Sequence, residues 1–118
     1  MKTERYTKND ITVAIVRSDE VFEDTQQAVE VIMSCDCDRM ILSGSNFPEA
    51  FFDLKTGLAG DILQKCSNYR VTIAIVGDFS KYDSKSLHAF ISECNRGNQV
   101  FFLPDEDTAL ARMQHIRK

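Results

Sequence analysis

The chain has 118 residues, which is room for one domain spanning 1–118 with a single core and not for two. Its 43% hydrophobic and 27% charged residues exclude a disordered, collagen-like or low-complexity chain. Fourteen Lys and Arg against eighteen Asp and Glu leave a net charge of -4, so no basic field exists to gather nucleic acid and no nucleic-acid partner is expected. No apolar run reaches the ~20 residues of a membrane span. The start Met1-Lys2-Thr3-Glu4-Arg5 also lacks the apolar stretch of a signal peptide, so no membrane association and a cytoplasmic location are expected.

Ile11 to Val16 is a β-branched run bounded by the turn-like Lys8-Asn9-Asp10 and reads as a strand, onto which Thr3 to Thr7 can hairpin. From Glu23 to Ser34, Ala28, Val29, Ile32 and Met33 recur at helical spacing. Arg39 to Leu42 is a short strand stopped by Ser43-Gly44-Ser45-Asn46. Phe51, Leu54, Leu58, Ile62 and Cys66 then share one stripe, which predicts a short helical turn beginning at Pro48 and a main helix from about Thr56 to Cys66. Val71 to Val76 is nearly continuous in apolar residues, as expected of a parallel strand buried on both faces, and Gly77-Asp78 ends it. Ser84 or Asp83 can cap a helix whose inward face is Leu87, Phe90, Ile91 and Cys94. Gln99 to Leu103 is the last strand, and Asp105 caps a final helix. That helix has acids in its first turn and Arg112, His115, Arg117 and Lys118 near its end, which suits the dipole at both poles.

The order ββαβαβαβα with short connections predicts an α/β fold: one mostly parallel mixed sheet packed by helices, with an antiparallel edge allowed by the first pair. Cys35, Cys37, Cys66 and Cys94 are expected to be reduced, with Cys66 and Cys94 on apolar helix faces. Cys35-Asp36-Cys37-Asp38 has too tight a spacing and too few partners for zinc, and His88 and His115 lie on other helices, so neither a metal nor a Cys-His pair is expected. The glycines form neither the dinucleotide nor the triphosphate loop, and no cofactor is expected.

The run Phe51 to Lys65, followed by Ser67-Asn68-Tyr69-Arg70 and Ala74-Ile75-Val76-Gly77-Asp78-Phe79-Ser80, resembles over nearly the whole chain the bacterial family called domain of unknown function 4180. More widely, the layout resembles the STAS (SpoIIAA-like, anti-sigma factor antagonist) domains. Their third strand leads through an Asp-Ser-Ser/Thr-Gly-Leu turn into a helix, represented here by Asp53-Leu54-Lys55-Thr56-Gly57-Leu58. The closing strand and helix match as well. This resemblance implies a regulatory domain whose hydroxyl before Gly-Leu, here Thr56, is phosphorylated by a partner kinase and controls partner binding. A regulatory kinase or sigma-system component is the partner it implies. One residue is inserted between Asp53 and the hydroxyl, Lys55 replaces a small polar residue, and the segment Phe47 to Phe52 is longer than a tight loop.

Polar groups should gather at the carboxyl ends of the parallel strands, where open α/β sheets bind ligands. They are Ser43, Ser45 and Asn46, then Asp53, Lys55, Thr56 and Gly57, then Asp78, Ser80, Lys81 and Tyr82. Thr56 at a helix start reads either as a plain cap or as a phosphorylation site whose phosphate the amides and Lys55 or Lys81 would hold. Asp53 and Asp78 read as turn residues, or as an acid-base or magnesium pair. Phe47, Phe51, Phe52, Phe79 and Tyr82 read as core, or, where exposed, as a patch for a partner protein, a second copy of the chain or an apolar ligand. The leading expectation is a non-enzymatic regulatory or protein-interaction domain using the Phe47 to Gly60 surface. The alternative is a small anionic-ligand sensor or weak enzyme using Asp53, Thr56, Asp78 and Lys81. A pocket between the Ser43 and Asp78 loops would favour the alternative, and a flat aromatic surface the first.

Overall fold

Two consecutive left-handed residues, Asn9 (φ 53°) and Asp10 (φ 65°), turn strand β1 (Thr3–Lys8) back onto β2 (Ile11–Val16). Such a turn matches the twist of the strands it joins, and Asn and Asp tolerate it best after glycine. The structure is a computed structural model that describes residues 2–116; Met1, Arg117 and Lys118 lie outside the described residues.

The remaining elements are α1 (Thr25–Ser34), β3 (Arg39–Ser43), the short α2 (Glu49–Phe52), α3 (Leu58–Asn68), β4 (Thr72–Val76), α4 (Lys85–Arg96), β5 (Val100–Leu103) and α5 (Glu106–His115). Side chains cap the longer helices as their sequences dictate: Asp24, Ser84 and Asp105 accept from the backbone N–H of Gln27, Leu87 and Thr108. Helix α3 is the exception. It begins at Leu58 and not at Thr56, because Gly57 sits at φ 77° and separates it from a 3-10 turn over Leu54–Thr56.

The five strands lie in the order β1-β2-β3-β4-β5, the first pair antiparallel and the others parallel. When strand order follows chain order, successive crossovers of one hand put their helices on the same face. The register makes this visible. Ala14, Met40, Ile73 and Val100 stand in one row and Val16, Leu42, Ile75 and Phe102 in the next, and α1, α3 and α4 cover both with Ala28, Ile32, Ala59, Ile62, Cys66 and Leu87. The opposite face presents Val13, Ile15, Ile41, Ala74, Phe101 and Leu103, and among the described residues α5 is the one helix that covers it, through Ala109 and Met113. β4 is thus buried on both sides, which is why its sequence is continuous rather than alternating.

Charged groups clip the layers together. Arg39 reaches the Met113 carbonyl at the end of α5, and Arg5 the Cys35 carbonyl at the end of α1, both where helix carbonyls lack partners. Arg17, just beyond β2, holds Glu4 of β1 at 3.0 Å and a bidentate Glu106 in the first turn of α5. Among the described residues no helix is long and apolar enough to cross a membrane.

Candidate functional site

Three polar residues begin 3-10 turns, Ser43 and Asp78 at the carboxyl edge of the sheet and Asp53 between α2 and α3. Ser43 starts the turn Gly44–Asn46 and accepts from Ser45 N–H at 3.2 Å, its hydroxyl also meeting that of Ser45 at 2.8 Å. Asp53 accepts from Lys55 N–H at 3.3 Å, and Asp78 from Ser80 N–H at 3.1 Å and from the Ser80 hydroxyl. This is local side-chain capping of tight turns, which Ser and Asp supply readily.

Between the ends of β3 and β4 the Ser43 and Asp78 turns leave a cleft of about 430 Å³, lined by Ser43, Ser45, Glu49, Asp78, Lys81 and aromatic rings. Its size is that of a small-molecule pocket. Phe79 forms part of its wall and packs beside Gly44 and Gly77, where a side-chain methyl would meet it at ordinary contact distance. A methyl at Gly44 would lie 3.4 Å from the Phe79 ring, and one at Gly77 3.5 Å from it. Phe52 stacks on Tyr82 with centroids 5.0 Å apart and meets Phe79 at 5.8 Å, and Phe79 in turn meets Phe102 edge-on. The Lys81 ammonium stands 5.2 Å over the Tyr82 ring. Burial, and then the charge of Glu49, push the Tyr82 phenol up. The hydrogen bonds from Ser80 hold the Asp78 carboxyl below its ordinary range, so it is a carboxylate at neutral pH and a weak proton acceptor.

The structure therefore gathers Asp78, Lys81, Phe52, Phe79 and Tyr82 around one cleft, with Ser80 behind it holding Asp78. Asp53, Lys55, Thr56 and Gly57 do not line it; they lie on the exposed turn after α2. There the Thr56 hydroxyl lies against the Ala50 and Asp53 carbonyls and accepts from Leu58 N–H at 3.3 Å, closing the connection between α2 and α3. Phe47, Phe51 and Phe52 are buried, so the Phe47 to Gly60 segment presents no flat aromatic surface. With Glu49 and Asp78 at the rim against Lys81, the cleft favours hydrogen-bond donors over an anion.

Two contributors were not singled out from the sequence. Glu49 carries no signal apart from its place after Pro48. Asn46, expected only as one loop polar group among several, is fully buried: its Oδ1 accepts from Ser43 N–H at 2.9 Å, and its amide donates to the Ser18 and Glu20 carbonyls at 2.9 and 2.8 Å. It latches the β2–α1 loop to the rim. The spacing Ser43-x-x-Asn46 is a capping-box pattern and was the available clue.

All four cysteines are free. The Cys35 and Cys37 thiols donate to main-chain carbonyls, and among the described residues no three metal-ligating groups come together. Burial pushes the Cys66 thiol up to about 11.

A family model for the domain of unknown function 4180 matches residues 8–113, and the chain belongs to that family. No curated protein and no solved structure matches the chain.

Proposed function

We propose that this member of the domain of unknown function 4180 family is a small-molecule-responsive binding domain, its ligand seated in the cleft between the ends of β3 and β4. The observation that carries this reading is the convergence there of Ser43, Ser45, Glu49, Asp78 and Lys81 over a wall of stacked aromatic rings. Small-ligand sites fix their ligands through a few placed polar groups, and in this cleft such groups supply more of the exposed lining than the rings do. The chemistry fits a molecule with a planar or apolar part for Phe79 and Tyr82 and an amine or hydroxyl donor for Glu49, Asp78 and the serines. Binding would report through Asn46, which joins the rim to the β2–α1 loop.

Amide NMR titrations with phenethylamine, adenosine and inorganic phosphate test this. Shifts confined to segments 43–49 and 76–82, larger for the first two probes than for phosphate, are expected, with Asp78→Asn weakening the amine. No movement in these segments at about 10 mM of any probe would overturn the proposal, because even a fragment-sized ligand of a real pocket binds in that range.

A second reading, a regulatory domain that binds a protein partner and is switched by phosphorylation of Thr56, is favoured by the exposure of Thr56 on the turn that resembles the STAS motif. A phosphate there would replace the contacts to the Ala50 and Asp53 carbonyls and add about -1.5 to -2 charge beside the start of α3. Intact-mass analysis and peptide mapping of protein from native cells, with phosphatase inhibitors present, decides it. Phosphate on Thr56 supports the switch, and unmodified protein under varied growth and stress removes it.

A further inference from the structure

The two edges of the sheet are treated differently. At β5 the side-chain amide of Asn95 stands in for a missing neighbour strand: its Oδ1 accepts from Phe102 N–H at 2.8 Å and its Nδ2 donates to the Phe102 carbonyl at 3.1 Å. That occupies the edge at Phe102, in the middle of the short strand. At β1 no such cover exists among the described residues. Arg17 N–H donates to the Lys2 carbonyl at 2.8 Å, which sets the hydrogen-bonding parity of the hairpin. Lys2, Glu4, Tyr6 and Lys8 bond inward to β2, while Thr3, Arg5 and Thr7 aim their N–H and C=O groups outward.

We propose that this open edge joins two copies of the chain, β1 pairing antiparallel with β1 about a two-fold axis at Tyr6. Parity allows only registers that set the outward residues opposite one another. In the register centred on Tyr6, Arg5 exchanges hydrogen bonds with Thr7 of the second copy. Glu4 then faces the second copy's Lys8 and Lys8 its Glu4, while the two Tyr6 rings meet on the axis. Shifting by two residues one way sets Arg5 against Arg5 and Lys2 against Lys8. Shifting the other way sets Glu4 against Asp10 and leaves little strand paired. Opposed like charges across a strand pair are unfavourable, so charge selects the first register.

Among the described residues Tyr6 is one of the few large apolar side chains left exposed, at 42%, and it stands over a groove of about 550 Å³ beside Leu110 and Ala111 of α5. In the dimer a second ring covers it from the same face. A single strand pair is smaller than a standard protein interface, so the dimer is reversible.

Sedimentation of the wild-type protein should show association that rises with concentration. Glu4→Lys alone and Lys8→Glu alone each oppose like charges twice and should be monomeric. An equimolar mixture of the two variants restores opposite charges at every position and should associate again. Circular dichroism melts confirm that each variant is folded, since Glu4 also pairs with Arg17. Tyr6→Cys should give a disulfide-linked dimer under mild oxidation, because a cysteine there would meet its own counterpart. A wild-type monomer up to about 1 mM, association that neither reversal weakens, or failure of Tyr6→Cys to cross-link would each overturn the proposal.

Discussion

Replacing Asn46 tests how the cleft is held. The side chain makes three hydrogen bonds at 2.8 to 2.9 Å from a fully buried position. Asn46→Ala leaves the Ser43 N–H and the Ser18 and Glu20 carbonyls without it. At about 1 kcal/mol per lost neutral bond the cost is about 3 kcal/mol, and a group stranded away from water adds to it. For a domain of this size that lowers Tm by about 10 °C. Urea unfolding should show the loss in the midpoint with an unchanged m-value. Asn46→Asp sharpens the test, since a carboxylate still accepts from Ser43 N–H but meets the two carbonyls with no proton to give. Its folded pKa is therefore raised above the ~3.9 of the unfolded chain. Stability relative to Asn46→Ala is then greatest below pH ~3.9 and is lost as pH rises through the folded value. Asn46→Ala melting within about 2 °C of wild type, or an Asn46→Asp variant with no such pH dependence, would refute the latch.

Other outcomes follow from the same geometry. Gly57→Ala puts a β-carbon at φ 77° with open space around it, so the cost is backbone strain alone, about 1 kcal/mol by chemical denaturation. Asp105 is held below its ordinary range by its bonds to Thr108, so it stabilises α5 above the unfolded carboxylate pKa and loses that contribution as pH falls through the folded value. The stability difference between wild type and Asp105→Ala, followed by melts from pH 7 to pH 2, should therefore shrink in acid. With its thiol pushed up to about 11 and its side chain buried, Cys66 should resist iodoacetamide at pH 7.5 until the chain unfolds. Labelling of Cys66 in the folded protein on the timescale of an exposed thiol would contradict its placement between α3 and the sheet.

Much of the fold was legible because local chemistry and tertiary packing agree. The run Val71 to Val76 reads as a doubly buried strand and β4 is one; Asp24, Ser84 and Asp105 read as caps and serve as caps. The start of α3 was misplaced by two residues because Thr56 and Gly57 both suit a helix entrance, and only the left-handed φ of Gly57 assigns that place to the glycine. The candidate site was legible in part. Asp78, Lys81, Phe79 and Tyr82 are neighbours in the chain and stay neighbours in the cleft, whereas Asp53 and Thr56, which the same edge-of-sheet argument joined to them, sit on a turn outside it.

The sequence by itself determined which segments are strands and helices, since periodicity, β-branching and capping act over a few residues. For Asp53 and Asp78 it offered a turn role beside an acid-base or magnesium pair, and the structure shows each starting a tight turn through a bond made within that turn. Only the tertiary structure decided that α1, α3 and α4 share one face while α5 stands alone on the other, because that depends on strand order and not on any local pattern. It alone decided that Phe47, Phe51 and Phe52 are buried and that Asn46 holds the Ser18 to Glu20 loop. Those environments are made by groups from other strands and helices, and an aromatic ring or an amide carries no local sign of which partner it will meet.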